Sequence, residues 1–163
     1  MRDAKPEAQE RLESALESPF MGANVRIWRD EDGDVRTNIP RCLIQHSPTG
    51  FEVGYGGSGP ADLALNIMAA FFPLAEGEEG VKTFCGRSCS QRAWDAHQGF
   101  KREFISRIHL KPGEETLTPS SVIREAAEIE LAGKVPTSEQ IVDWQVRIGE
   151  ANEKARQEEA ARG

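Results

Sequence analysis

"GFEVGYGGSGPADLALNIMAAFFP", Gly50 to Pro73, decides how this chain folds. Gly50, Gly54, Gly56, Gly57 and Gly59 crowd its first part, and an almost unbroken apolar run follows. Pro60 suits the first turn of a helix, where an N–H has no partner to lose, and Gly59 can serve as N-cap. Asp62 falls in the first turn, at the end of the helix dipole that favours a carboxylate. From Leu63 to Phe72 every residue except Asn66 is apolar. A helix over 60–72 that is apolar all round belongs at the centre of a domain, and Pro73 limits its continuation.

Upstream of that helix the period is two. "NVRIWRDEDGDVRTNI" (24–39) alternates Val25, Ile27 and then Val35 around Asp32-Gly33, a strong hairpin signal. "RCLIQHSPTGFEVGY" (41–55) reads as two more strands, over 42–46 and 51–55, joined across Pro48-Thr49-Gly50. Ile27, Leu43, Phe51 and Val53 are the expected core residues of this sheet. Downstream, a linker over 75–80 leads to a helix over 90–104, with Trp94, His97, Lys101 and Phe104 on one face. "ISRIHL" (105–110) reads as a short fifth strand before the turn at Lys111-Pro112-Gly113. A helix over 120–131 ends near Gly133, and Thr137-Ser-Glu-Gln140 is a capping box that opens another. Beyond Glu153 the tail is charged, a helix expected to fray. Residues 1–18 read as a polar helical arm whose apolar stripe, Leu12, Ala15 and Leu16, is too thin to stand alone.

The predicted fold is α+β: a small antiparallel sheet of three to five strands packed on a central apolar helix, with a helical C-terminal half. It divides into an arm (1–19), a core domain (20–112) and a helical extension (113–163). With 163 residues, 38% hydrophobic and 29% charged, the chain suits one ordinary domain with polar extensions. No apolar run approaches the roughly 20 residues that span a bilayer, and the polar, acidic start is no secretory signal. Three cysteines, an odd number, argue against a disulfide framework and for reduced thiols in a cytoplasm. The net charge of −7 speaks against generic nucleic-acid binding. Yet Lys82, Arg87, Arg92, Lys101, Arg102, Arg107 and Lys111 face only Asp95 and Glu103 between residues 81 and 112. That basic middle between acidic flanks can steer a small anion or an acidic partner, or simply be a solvated face.

Four constellations carry possible chemistry. The glycine loop, with Tyr55, Gly56, Gly57 and Ser58, has the strand–turn–helix order that offers free N–H groups to an anion. It lacks the lysine of a nucleotide loop, and its glycines can equally serve only a tight turn. Asp62 and Asn66 share one face of the apolar helix and need hydrogen-bond partners. Either Asp62 braces the glycine-loop amides, or both line a pocket under the loop beside Ser58 and Tyr55. Cys85-Gly-Arg-Ser-Cys89 with His97 could reach a zinc set only if Cys42 or His46 joined, and the spacing is no compact finger, so no metal is assigned. Arg92, His97 and Lys101 lie among aromatics that can clamp a nucleotide or merely be core.

The block "GYGGSGPADLALNI" (54–67), followed by Gln98, Phe100, Lys101 and Phe104 in "HQGFKREFI", resembles a family of small uncharacterised bacterial, phage and mobile-element proteins. The resemblance runs from about residue 25 to 110 and implies an accessory gene of mobile DNA, with no activity attached. The expectation is therefore a non-enzymatic binding protein without cofactor or catalytic residue. It would inhibit a host defence protein or sequester a small anionic ligand, and it could form a homo-oligomer. The alternative is a small enzyme acting on a nucleotide or phosphoester, with Asp62 and His97 as acid/base groups.

Overall fold

The computed structural model describes residues 24–162, so the arm expected over 1–19 lies outside the described residues. The alternating segment forms β1 (Asn24–Arg29), which turns at Gly33 into β2 (Val35–Thr37). Asp30 fixes this turn, its carboxylate accepting from the Asp32 and Asp34 amides at 3.0 and 2.9 Å. The other edge of β1 pairs with β5 (Glu115–Pro119), so the antiparallel sheet has the order β2-β1-β5. Val25 sits opposite Thr118 and Ile27 opposite Thr116 and Thr37, which turns both aliphatic side chains into the core.

Helix α1 (Ser58–Phe71) is buried nearly all round, as its composition requires. Its N-cap is Gly57 rather than Gly59, one of the small boundary shifts common at helix starts. Helix α2 (Gln91–Glu103) packs along α1 and carries α3 (Ser120–Leu131) on its other side. Ser90 ties α2 to the end of α1, its hydroxyl accepting from the Ala93 amide and donating to the Phe72 carbonyl at 2.6 Å. A two-residue ladder that the periodicity does not reveal, β3 (Val81–Lys82) with β4 (Ser88–Cys89), precedes α2. Helix α4 (Ser138–Arg162) opens with the expected capping box. Thr137 N–H donates to Gln140 Oε1 at 2.8 Å, and Gln140 N–H donates to Thr137 Oγ1 at 3.2 Å. The helix runs through the charged tail to Arg162.

Three expected strands are absent. Residues 42–46 and 51–55 have strand-like composition, yet neither joins a ladder. The first crosses α1, and side chains of that helix take the place of a neighbouring strand. Asn66 Oδ1 accepts from the Cys42 and Leu43 amides, both at 2.9 Å, and its amide donates back to the Leu43 carbonyl at 3.0 Å. The second segment docks on the 105–110 stretch, where Gly54 N–H reaches the Ile105 carbonyl at 3.1 Å. That stretch is itself a 3₁₀ turn (Ile105–Arg107) and not a strand. Its carbonyls are used locally and by Gly54, and Arg29 Nε donates to Leu110 O at 2.7 Å. The third strand of the sheet comes instead from beyond residue 112.

Asn152 of α4 repeats the Asn66 device at the sheet edge. Its amide accepts from Leu117 N–H at 2.9 Å, donates to Leu117 O at 3.0 Å, and back-bonds Ile148 O at 2.7 Å. Two helix asparagines thus satisfy both backbone groups of an extended leucine, each closing an edge that would otherwise stay open.

Candidate functional site

Asp62 is 0% exposed, and its carboxylate turns away from the glycine loop. It accepts from the amides of His46 at 2.8 Å, Ser47 at 2.9 Å and Gln45 at 3.2 and 3.3 Å. A buried carboxylate surrounded by three amides is a satisfied charge, so Asp62 braces segment 45–47 and not the glycine-loop amides. Asn66, one turn on, holds the same segment at 42–43 and bonds the Asp62 carbonyl at 2.8 Å. Neither residue lines a pocket under the loop with Ser58 and Tyr55. The pair reads as a clamp, and its sequence signal is the i, i+4 spacing of two polar side chains on an otherwise apolar helix.

The clamp positions His46. Its Nε2 lies 3.2 Å from Nε2 of His97, which is 1% exposed, and its ring stacks on Trp94 at 6.4 Å between centroids. His97 Nδ1 faces the Trp94 carbonyl at 2.5 Å. A carbonyl only accepts, so Nδ1 carries the proton and His97 Nε2 keeps a lone pair. His46 Nε2–H must therefore donate to it, which leaves the lone pair of neutral His46 on Nδ1. Burial pushes the His97 imidazole below the usual histidine range, and the neighbouring His46 acts in the same direction against the Trp94 hydrogen bond.

One helical turn beyond His97, Lys101 Nζ donates to the Gly56 carbonyl at 3.2 Å. This brings Lys101 to the glycine loop and the start of α1. Tyr55, 52% exposed, lies over Gly57, where an added Cβ would come 2.2 Å from its ring. Gly54 has φ +88 and passes close to the Ile108 carbonyl, so a side chain there would be both strained and crowded. The residues singled out by sequence thus separate. Tyr55, Gly56, Gly57, Ser58 and Lys101 share a surface, Asp62, Asn66 and His97 lie beneath it, and Arg92 stacks on Phe72 at 4.6 Å away from both. His46 and Trp94 join this group, and residues 45–47 complete it. Nothing in the local pattern marks Gln45 or Ser47, because Asp62 recruits segment 45–47 through space.

No three His, Cys, Asp or Glu side chains among the described residues could hold a metal together. Cys85 is exposed, with its thiol lowered to about 7 by the Thr83 hydroxyl and by the Arg87 and Ile44 amides. Buried Cys89 is raised by desolvation.

A family of unknown function (DUF6166) has a model that matches residues 20–89. The matched stretch contains the clamp, the glycine loop and the β3–β4 ladder, while Trp94, His97 and Lys101 lie beyond it. No curated protein and no solved structure matches the chain.

Proposed function

We propose that the protein is a non-enzymatic binding protein whose ligand surface is the start of α1 together with Tyr55, Gly56, Gly57, Ser58 and Lys101. The observation that carries this reading is the pairing of Lys101 with Gly56, which sets a cation beside the amide end of a helix. The charge that should oppose an anion there, Asp62, is turned inward and held by three amides. The surface suits a small anionic ligand or an acidic segment of a partner protein. The resemblance to phage and mobile-element proteins extends the reading to an accessory protein that occludes a host defence protein or sequesters such a ligand. Titrating the protein with inorganic phosphate and with pyrophosphate, followed by amide chemical shifts, tests it. Shifts should concentrate at 56–59, and Lys101→Gln should weaken them roughly tenfold. Shifts scattered elsewhere, or none, would end the proposal.

One observation favours the enzymatic alternative. The His97 pairing leaves the neutral His46 lone pair on Nδ1, so His46 and not His97 would be the outer base. Asp62 and His97, at 0% and 1% exposed, would act only through it. Hydrolysis of a generic aryl phosphate by the wild type, lost in His46→Ala, would favour that reading over simple binding.

A further inference from the structure

The tip of the β3–β4 ladder presents Phe84, 84% exposed, more than any other large apolar side chain among the described residues. This is no floppy loop. Phe84 N–H donates to Gln45 Oε1 at 2.7 Å and Cys85 N–H to the Ile44 carbonyl at 3.0 Å. Thr83 bonds the Arg87 carbonyl through both its amide, at 2.9 Å, and its hydroxyl, at 2.6 Å, and Gly86 N–H closes on Thr83 O at 2.9 Å. The tip rests on residues 44–45, of which Asp62 holds Gln45 in turn. An aromatic carried on a backbone that is already fixed has only its side-chain rotamers to lose when it is covered, which lowers the entropic cost of using it as an interface anchor. Exposed Lys82 and Arg87 flank it.

The same chain carries a surface of complementary form. A groove of about 340 Å³ between α3 and the start of α4 is lined by Glu125, Glu128, Ile129, Ala132, Lys134 and Gln140. Its apolar part is Ile129 and Ala132, and Val135, 79% exposed, lies just beyond Lys134. Glu125 is held by Arg147, whereas Glu128 makes no ion pair among the described residues. A cation-flanked phenyl ring matches an apolar floor whose α3 rim presents the Glu128 carboxylate, with Lys134 further along the rim, past the end of that helix.

We infer that Phe84 of one copy seats in the α3–α4 groove of a second copy, with Arg87 facing Glu128. The contact is heterologous, so assembly proceeds head to tail into a ring or a short chain. It uses neither the glycine loop nor Lys101, so it stands or falls separately from the anion-binding proposal. Sedimentation velocity of the full chain, with a thiol reductant to prevent cross-linking through Cys85, tests it from micromolar to millimolar protein. The weight-average mass should rise with concentration. Phe84→Ala and Glu128→Lys should each weaken association by at least about tenfold while the far-ultraviolet circular dichroism stays unchanged. Combining Arg87→Glu with Glu128→Lys should recover much of the loss. A wild type that stays monomeric throughout would overturn the inference. So would a Phe84→Ala variant that associates as the wild type does, or a failure of the charge swap to recover any association.

Discussion

At the residue scale, Asp62 shows how a charge is made compatible with a core. Three amides converge on its carboxylate, and removing it would leave them buried without acceptors. Asp62→Ala is expected to lower the unfolding free energy by about 2–5 kcal/mol, since each amide left without an acceptor costs about 1–3 kcal/mol and the part-buried ones regain water, read from urea denaturation. Loop 45–47 should also lose its hydrogen-exchange protection in that variant. His97 carries a pH dependence of definite sign. Its folded pKa lies below the ordinary value of 6.5, so the unfolded chain binds the proton more readily. The contribution is fully present above pH 6.5 and is lost as pH falls through the lower folded value. The urea midpoint should therefore fall between pH 7 and pH 5, and His97→Gln should flatten that segment of the curve relative to wild type. Among the cysteines, the lowered Cys85 thiol gives a third expectation: iodoacetamide at neutral pH should label Cys85 well before buried Cys89, as peptide mass spectrometry would show.

At the element scale, α1 depends on close approach as much as on its apolar faces. A Cβ on Gly59 would stand 2.6 Å from Glu52 Cβ and 3.1 Å from the Glu52 amide. Glu52 cannot move away freely, because Arg29 grips its carboxylate at 2.7 Å in a half-buried ion pair. Gly59→Ala should thus cost about 1–3 kcal/mol through overpacking. Gly57→Ala meets only the outer ring of Tyr55, an exposed side chain that can swing aside, so its thermal midpoint should move much less. Comparing the two melts checks the argument. The helix itself was legible from Pro60 and its apolar run, whereas the segments beside it were not. Residues 42–46 and 51–55 look like strands because extended, half-buried backbone has the same composition whoever supplies its hydrogen bonds. Here Asn66, Asp62 and the Ile105 carbonyl supply them.

At the scale of the whole molecule, α4 is the long, weakly buried piece. Trp144 is its one buried residue among those described, packed on Phe104 at 5.7 Å between ring centroids. Arg147 joins α4 to α3 by bonding Glu125 and Ser121, exposed contacts of small individual worth. Trp144→Ala should cost about 3–5 kcal/mol, and amides of α4 should exchange before those of α1. Asn152→Ala should loosen β5 from the same side, seen as faster exchange at Leu117. What the sequence determined by itself was local: the β1–β2 turn, the apolar helix α1, the capping box of α4 and the span of α3. Each rests on contacts within a few residues, so neighbouring side chains alone specify them. Only the tertiary structure decided that β5 completes the sheet, that Asp62 faces residues 45–47, and that Lys101 meets Gly56. These are hydrogen bonds between distant segments, and a donor's own surroundings in the chain do not say which of many distant acceptors will come within 3 Å of it.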